Sequence, residues 1–301
     1  MTGPGASRPL ELARLAAEHL SAKGVADGRL DAELLLAHVL GVRRLDLYLQ
    51  FERPLSEDEV ASYREAIRRR SRREPLQYIT GRAPFRELEL AVDPRVLIPR
   101  PETEVLVQEA LRHAREAVGD AGAELDALDI GTGSGAIAIS LLVEGPFRRV
   151  VATDLSPGAL EVAASNAAAA GVADGLQLRR GPGWEPIGDG ERFDVIVTNP
   201  PYVLESERAT LMPEVRDHEP AEALFAGADG LAVVREVLAD ARSHLRVGGL
   251  LAMEVGSGQA RAVAGMAVTA GLDAPRVVAD LTGRERIVLA ARGRDTEPKV
   301  E

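Results

Sequence analysis

The most distinctive chemistry is expected at Asn199-Pro200-Pro201-Tyr202, which directly follows the apolar run 195–198. Two consecutive prolines fix the backbone and donate no hydrogen bonds, so nearby carbonyls and the Asn199 side-chain oxygen are available as acceptors. Two acceptors can hold both hydrogens of an NH2 group and orient its lone pair, while Tyr202 packs against the flat group. The motif therefore predicts chemistry at a planar amide or amine nitrogen. The alternative is a rigid turn between a strand and a loop.

A glycine-rich segment provides a second candidate site. Its five consecutive residues are Gly131, Thr132, Gly133, Ser134 and Gly135. Glycines between the apolar run 127–130 and an amphipathic segment let the backbone turn sharply and approach a ligand. Asp154 ends the next apolar run, about 20 residues further on, where a carboxylate can accept both hydroxyls of an adenosine ribose. These features predict a nucleoside cofactor, either NAD or a methyl donor. The alternative is a structural turn, with Asp154 capping a helix.

The two sites together favour one cofactor. Paired acceptors around an NH2 group are not predicted by NAD chemistry, whereas an amide nitrogen, a poor nucleophile, needs such orientation toward a methyl donor. We therefore predict S-adenosylmethionine as cofactor and S-adenosylhomocysteine as product, with Asn199 and Pro200 as catalytic residues. Because the methylated nitrogen is very acidic, no strong general base is required.

Alternating apolar runs and amphipathic helices position both sites. The clearest strand-like runs are 127–130, 150–153, 195–198, 250–255 and 287–291. This rhythm is typical of an α/β domain with a mostly parallel sheet and helices on both faces. We assign residues 98–292 to this domain and 293–301 to a flexible tail.

The preceding residues have a different pattern. Apolar positions at helical spacing predict helices over 10–20 and over 30–40, the second of which ends at Gly41. Another helix is expected to begin at Ser56, where Ser56 and Glu59 form a capping box. We assign residues 1–79 to a small helical domain and 80–97 to a hairpin linker.

Composition narrows the class of protein. The 301 residues contain no cysteine, which excludes disulfides, thiolate metal sites and cysteine nucleophiles. Five histidines without metal-ligand spacing indicate no metal. No apolar run approaches the roughly 18 residues of a membrane span, so a cytoplasmic protein is expected. The net charge of -11 disfavours direct nucleic-acid binding, and the arginines of residues 68–73 are interpreted as a solvated helix face.

The chain resembles the release factor glutamine N5-methyltransferase family over nearly its whole length. The matching segments are residues 97–104 (Leu-Ile-Pro-Arg-Pro-Glu-Thr-Glu), the glycine loop, residues 154–157 (Asp-Leu-Ser-Pro), the Asn-Pro-Pro-Tyr motif and Glu219-Pro220. The resemblance implies a Rossmann-like class I methyltransferase domain with a seven-stranded, mostly parallel sheet, preceded by a helical bundle domain and a β-hairpin linker. We predict that the helical domain recognises the protein substrate, because the amide pocket alone cannot select one glutamine among many. The alternative is that this domain only stabilises the catalytic one. The protein is expected to be a monomer.

The resemblance further implies residue roles. Gly131 to Gly135, Asp154, Trp184 and Asn199 would bind S-adenosylmethionine, with Trp184 near the adenine. Residues 199–202 would receive the glutamine of the Gly-Gly-Gln loop in class I peptide chain release factors, in support of translation termination. The segment 180–183 before Trp184 departs from the acidic residue usual in such enzymes.

Three rivals remain. An adenine-N6 or guanine-N2 methyltransferase of nucleic acid could use the same motif, because its target is also a flat NH2 group. A ribosomal protein glutamine methyltransferase is the second, although the Pro-Glu-Thr-Glu segment resembles the release factor branch. The third is a binding protein that has kept the fold without activity, against which the intact glycine loop, Asp154 and Asn199 argue.

Overall fold

The computed structural model describes residues 8–50, 52–119 and 124–293, and the predicted tail after residue 293 lies outside them. Within these ranges no helix has the length and apolar character needed to span a membrane. The chain forms two compact units. Of the described residues, the helical unit contains 8–50, 52–82 and Met212–His218, and the sheet unit contains the others. The short segment 212–218 therefore returns to the helical unit from the second half of the chain.

Short helices build the helical unit. They are α1 (Pro9–Ala22), α2 (Gly28–Leu40), α3 (Asp46–Leu49), α4 (Glu57–Ser71), α5 (Leu76–Thr80) and, from the returning segment, α9 (Pro213–His218). The apolar faces of α1 to α5 meet in one core, whose most buried members include Leu20, Leu35, Leu36, Leu47 and Tyr63. The predicted helices over 10–20 and 30–40 are confirmed.

Local signals set the ends of these helices. Gly41 ends α2 with a φ of 64°, a left-handed conformation that glycine adopts without steric cost. At the start of α4 the Glu59 amide donates to Ser56 Oγ at 3.2 Å, and the Ser56 amide donates to Glu59 Oε2 at 2.8 Å. The predicted capping box is thus confirmed, and two backbone donors at the helix start are satisfied.

The arginines at the end of α4 do not all face solvent. Arg68 and Arg72 are exposed, but Arg70 is buried and donates to Asp31 Oδ2 at 2.7 Å and to Glu214 Oε1 at 2.9 Å. Arg73 donates to the other oxygen of Glu214 at 2.6 Å. The prediction of a solvated face is therefore wrong for Arg70, since burial of its guanidinium is compensated by two carboxylates from distant parts of the chain.

The sheet unit begins with a hairpin and continues as alternating strands and helices. The hairpin strands are β1 (Arg82–Phe85) and β2 (Leu88–Ala91). The remaining elements are α6 (Pro101–Val118), β3 (Leu125–Ile130), α7 (Ala136–Glu144), β4 (Phe147–Asp154), α8 (Pro157–Ala169), β5 (Leu176–Arg180), β6 (Phe193–Thr198), α10 (Ala232–His244), β7 (Leu245–Glu254), α11 (Ala260–Thr269), β8 (Asp273–Ala279) and β9 (Glu285–Ala291). These confirm the predicted α/β class and the hairpin.

Seven strands form one sheet in the order β5-β4-β3-β6-β7-β9-β8. The pairs from β5 to β7 are parallel, and β9 is antiparallel to both of its neighbours. Four of the five predicted apolar runs lie within strands, and the fifth, 250–255, extends one residue beyond the end of β7. The apolar runs did not predict β5 and β8. Both are edge strands of this sheet, and their side chains are only partly buried.

Cores on both faces hold the sheet between helices. Successive strand residues alternate between them: Ala127 and Val195 belong to one core, Leu128 and Ile196 to the other. Helices α6 and α7 contribute to the first core, α10 and α11 to the second. Because both faces are covered, only the ends of the strands remain open to a ligand.

The buried charge cluster of the helical unit leads to a stability prediction. Asp31→Ala leaves the Arg70 guanidinium with one carboxylate partner where it now has two, and should lower the free energy of unfolding by about 2–4 kcal/mol. Urea unfolding followed by circular dichroism measures this. Glu65→Ala, which breaks an exposed pair with Arg68, is the control and should change the free energy by less than about 0.5 kcal/mol. Equal effects of the two substitutions would contradict the assigned burial.

Candidate active site

The strand register brings the predicted site residues to one edge of the sheet. Ile130 of β3 pairs with Thr153 of β4 and with Thr198 of β6, and Thr198 pairs with Met253 of β7. The next residue on each strand or loop therefore falls in a common row. That row contains Asp154, Gly131, Asn199 and Glu254. Neighbouring positions are separated by about 4.8 Å, so the row spans roughly the width of a nucleoside and a small planar group.

Glycine is required in the turn after β3. Gly133 has a φ of 54° and Gly135 a φ of 83°, both left-handed. A Cβ at Gly135 would lie 2.8 Å from the Ile139 side chain and 3.2 Å from Ala163 Cβ. A substitution at Gly135 would therefore be strained and would also clash with α7 and α8. Glycine at this position permits the close approach of the loop to these helices.

Asp154 is held by the same turn. The Gly133 amide donates to its Oδ2 at 2.9 Å, and the Ser156 amide donates to its Oδ1 at 2.9 Å. Each oxygen keeps capacity to accept a further hydrogen bond. Burial raises the pKa of Asp154 above its ordinary value, against the two amides, which lower it. A carboxylate with two fixed, partly used oxygens is suited to a pair of hydroxyl groups.

Two residues of the glycine-rich loop, Thr132 and Ser134, are held by buried hydrogen bonds, Thr132 through its side chain and Ser134 through its backbone carbonyl. Thr132 Oγ1 donates to Asp129 Oδ2 at 2.7 Å, and Asn166 Nδ2 donates to the Ser134 carbonyl at 2.8 Å. Asp129 is fully buried, and this burial raises its pKa to about 7. Direct contacts of Thr132 and Ser134 with a cofactor stay predictions.

A cavity of about 460 Å³ lies along this edge. Its lining includes Gly131, Gly133, Asp154, Asn199, Pro200 and Pro201. The ionisable residues that line it are Arg95, Asp154, Glu222 and Glu236, three acids and one base. This balance favours a ligand that carries positive charge, such as a sulfonium. No group of three or more acidic, histidine or cysteine side chains in the described part of the chain could hold a metal ion.

Asn199 is fixed from behind by two residues that sequence reasoning left without a role. Asn199 Nδ2 donates to Thr103 Oγ1 at 3.1 Å, and Thr103 Oγ1 donates to Glu254 Oε2 at 2.6 Å. Glu254 is 1% exposed, and this burial raises its pKa to about 7. Thr103 belongs to the Pro-Glu-Thr-Glu segment, so that segment was the available signal, but Glu254 lies 151 positions away.

Tyr202 follows Pro201, which lines the cavity, but is not itself among the lining residues. Burial raises the pKa of its hydroxyl to about 12, so it is neutral at physiological pH. Gln259 Nε2 donates to the Tyr202 carbonyl at 3.5 Å, and the guanidinium of Arg286 lies 5.9 Å from the ring centroid. Packing of Tyr202 against a substrate stays a prediction.

Arg100 and Glu219, which come from two separate matching segments, pair with each other. Arg100 Nη2 donates to Glu219 Oε1 at 2.5 Å, and Glu219 is 6% exposed. Burial raises the pKa of Glu219 above its ordinary value, against the opposing effect of Arg100. Pro220, the following residue, lines the cavity. The pair therefore anchors one wall of the site.

Trp184 has other partners in the structure. Its ring stacks on His244 with centroids 4.8 Å apart, and its Nε1 donates to the Glu236 carbonyl at 3.0 Å. It is absent from the cavity lining, although Gly181 and Gly183 just before it are present. Contact of Trp184 with adenine therefore stays a prediction, and the turn before it is the nearer surface.

Family models match both units. The PrmC N-terminal domain model matches residues 11–81, and the methyltransferase small domain model matches residues 103–215. Among solved structures, a methyltransferase from Pyrococcus furiosus has a TM-score of 0.51 at 18% identity, covering 69% of this chain and 90% of its own. A Thermus thermophilus 16S rRNA N2 methyltransferase with bound AdoMet and guanosine has a TM-score of 0.50 at 20% identity, covering 70% and 49%. These structures show the class I methyltransferase fold.

Curated relatives extend over almost the full chain. A release factor glutamine methyltransferase of Geobacter sulfurreducens is 43% identical over 270 residues, covering 90% of this chain and 92% of its own. One of Cereibacter sphaeroides is 42% identical over 283 residues, covering 94% and 98%. One of Deinococcus radiodurans is 42% identical over 282 residues, again covering 94% and 98%. The chain therefore belongs to the release factor glutamine methyltransferase family.

Proposed function

We propose that this protein transfers a methyl group from S-adenosylmethionine to the side-chain amide nitrogen of a release factor glutamine. The observation that carries the proposal is the row at the sheet edge, in which Asp154 and Asn199 flank Gly131 with Asn199 anchored through its Nδ2. One end of the row suits a ribose and the other an amide. The finer assignment is the glutamine of the Gly-Gly-Gln loop in class I peptide chain release factors.

The cavity fits the cofactor in three respects. Asp154 has free acceptor capacity for two ribose hydroxyls, the glycine turn brings backbone close to the ligand, and acidic residues outnumber basic ones in the lining. S-adenosylmethionine, when bound, supplies a methyl carbon already activated by the sulfonium. The chain's own contribution is to hold and orient the groups and to exclude water. Gly131, Gly133 and Asp154 are the residues we assign to cofactor binding, together with Asn199.

The amide end of the site works by hydrogen-bond acceptors. Asn199 Oδ1 and the Pro200 carbonyl would accept both hydrogens of the substrate NH2 group and orient its nitrogen toward the methyl donor. Buried Pro200 and the following proline contribute no amide hydrogen that could compete for these acceptors. After transfer the nitrogen is cationic and strongly acidic, so its proton can leave without a tuned base.

A protein substrate is favoured over nucleic acid. The relatives named for release factor glutamine act on a protein amide, and the net charge of -11 opposes attraction to a phosphate backbone. Because release factors act in translation, we propose that the reaction takes place in the cytoplasm. We further propose that the enzyme works as a monomer without direct nucleic-acid contacts.

The helical unit is our candidate for recognising the release factor, because the amide pocket alone cannot choose one glutamine among many. We keep residues 1–79 as the recognition domain, 80–97 as the linker and 98–292 as the catalytic domain. Leu45 and Leu49, at the start and end of the short helix α3, are 72% and 78% exposed. Two neighbouring leucines left in water are typical of a surface that a protein partner covers.

Substitution of Asn199 tests the amide site. Asn199→Ala removes the oxygen that orients the nucleophile, so the rate of methyl transfer to a release factor should fall about 100-fold or more. S-adenosylmethionine affinity, measured by calorimetry, should fall much less than the rate, because the glycine turn and Asp154 still hold the cofactor. Mass spectrometry of the product should place the methyl group on a glutamine side chain. Near wild-type turnover would reject the role of Asn199, and label in RNA would reject the protein substrate.

Substitution of Asp154 tests the ribose-binding site proposed for the cofactor. Asp154→Ala should weaken S-adenosylmethionine binding by about 2–4 kcal/mol, because two charge-assisted hydrogen bonds are lost together. Calorimetric titration measures the change, and Asp174→Ala, at an exposed acid on the same unit, is the matched control. Unchanged affinity in Asp154→Ala would mean that the ribose binds elsewhere.

Substitution of the two exposed leucines tests whether the helical unit recognises the release factor. Replacing both Leu45 and Leu49 by serine should raise KM for an intact release factor by about tenfold, since about 1.4 kcal/mol of apolar contact is lost. S-adenosylmethionine affinity should stay the same. Leu281→Ser, at an 85% exposed leucine of the sheet unit, should leave KM unchanged. An unaltered KM in the double variant would exclude this surface from substrate binding.

A further inference from the structure

We infer that Thr103 and Glu254 are positioning residues that select one of the two orientations of the Asn199 amide, so that its oxygen faces the cavity. This inference rests on the proposed function, in which Asn199 accepts a hydrogen from the substrate NH2 group. If Nδ2 faced the cavity, hydrogens would oppose hydrogens and the substrate would be repelled. A side-chain amide has no intrinsic preference between these orientations, so the surroundings must decide.

The hydrogen-bond chain decides through the single hydrogen of a hydroxyl group. Thr103 Oγ1 lies 2.6 Å from Glu254 Oε2 and 3.1 Å from Asn199 Nδ2. An ionised carboxylate only accepts, so the Thr103 hydrogen must point at Glu254. Only lone pairs then remain on Thr103 for Asn199. The Asn199 group that faces Thr103 must therefore be NH2, and Oδ1 is left for a ligand.

Burial makes this selection rigid. Thr103 is 4% exposed and Glu254 is 1% exposed, so water cannot replace either hydrogen bond. The elements also constrain the three side chains: Thr103 lies in the first turn of α6, Asn199 follows β6, and Glu254 ends β7. A buried carboxylate is costly and an apolar residue of similar volume would serve stability as well. Its presence behind Asn199 is explained by the orientation that it imposes.

Ionisation of Glu254 is part of the device. Arg286 and Arg100 favour its charged form, whereas Glu102 opposes it, and Tyr202 is also close enough to interact. Burial outweighs the arginines and raises the pKa to about 7. When Glu254 is protonated it can donate to Thr103, whose hydrogen is then free for Asn199 Oδ1. The Asn199 side-chain amide can then flip by 180°, and the substrate site loses its hydrogen-bond acceptor.

Activity is expected to fall as the pH is lowered, because protonation of Glu254 removes the orienting hydrogen bond. The productive orientation is present above the pKa of Glu254 and is lost as the pH falls through it. The value of kcat/KM for a release factor should therefore decline on the acid side with a midpoint near pH 7. Asp129 also has a pKa of about 7, so the decline alone does not identify Glu254.

Substitution at Glu254 identifies the group. Glu254→Gln cannot titrate, so its kcat/KM should be flat between about pH 6 and 8 and lower than that of the wild type at the upper end. Persistence of the acid decline in this variant would overturn the inference.

Two variants of Thr103 separate the hydroxyl from the packing. Thr103→Val keeps the shape but removes the hydroxyl and should lower kcat by about tenfold or more, as loss of a supporting hydrogen bond does elsewhere. Thr103→Ser keeps the hydroxyl and should retain most of kcat. Calorimetry with S-adenosylmethionine verifies that the site is folded in each. Wild-type kcat in Thr103→Val, or equal losses in both variants, would overturn the inference.

A measurement without substrate distinguishes this inference from the proposed function. In the wild type, NMR should show the Asn199 side-chain NH2 hydrogens protected from solvent exchange at pH 8 by the bond to Thr103, and about tenfold less protected in Thr103→Val. Equal protection in both would overturn the inference whatever the substrate is. Absence of methylated glutamine with the wild-type enzyme, with the NMR difference present, would instead reject the proposed function alone.

Discussion

In a parallel sheet the carboxyl ends of all strands meet at one edge, and that constraint determines where this protein can bind ligands. Both sheet faces are covered by helices, so backbone groups and side chains at the strand ends are the ones left accessible. Residues that are 23 and 68 positions apart in the sequence, Gly131 with Asp154 and Gly131 with Asn199, become neighbours in one row. The relative positions of the glycine turn, Asp154 and Asn199 depend on this register.

The same edge concentrates buried acids. Burial raises the pKa of Asp129, Asp154, Glu219 and Glu254, and each accepts hydrogen bonds from a threonine, backbone amides or an arginine. Such groups cost free energy of folding, and clusters of them are typical of functional sites. Here their negative charge suits a cationic cofactor, while the hydrogen bonds that they accept fix the donors around them. Electrostatics and side-chain orientation are therefore linked at this edge.

Much of the fold follows from local sequence signals. The buried central strands have continuous apolar runs, and Ser56 with Glu59 marks a helix start that the structure reproduces. Edge strands β5 and β8 lack such runs because one side of each has no neighbour. Arg70 illustrates a different limit, since its burial depends on Asp31 and Glu214, which are 39 and 144 positions away. No local pattern contains that information.

The candidate site shows the same division. Gly131, Gly133, Asp154 and the Asn199 motif were identified because their residue types are unusual for the positions they occupy, and all of them except Tyr202 line the cavity. Trp184 was assigned by resemblance; its ring packs on His244, and its contact with adenine stays a prediction. Glu254 carries no signal in its own segment, because a single acid at the end of an apolar strand has many explanations. Its connection to Asn199 needs the register of β6 and β7.

We propose that one row of residues holds the methyl donor at Asp154 and the nucleophilic amide at Asn199. A crystal structure of the enzyme with S-adenosylhomocysteine and a release factor would show both groups in place. We expect both ribose hydroxyls on the Asp154 carboxylate and the glutamine amide nitrogen between Asn199 Oδ1 and the Pro200 carbonyl, with Nδ2 still on Thr103. A glutamine amide bound away from Asn199, or a ribose bound away from Asp154, would contradict it.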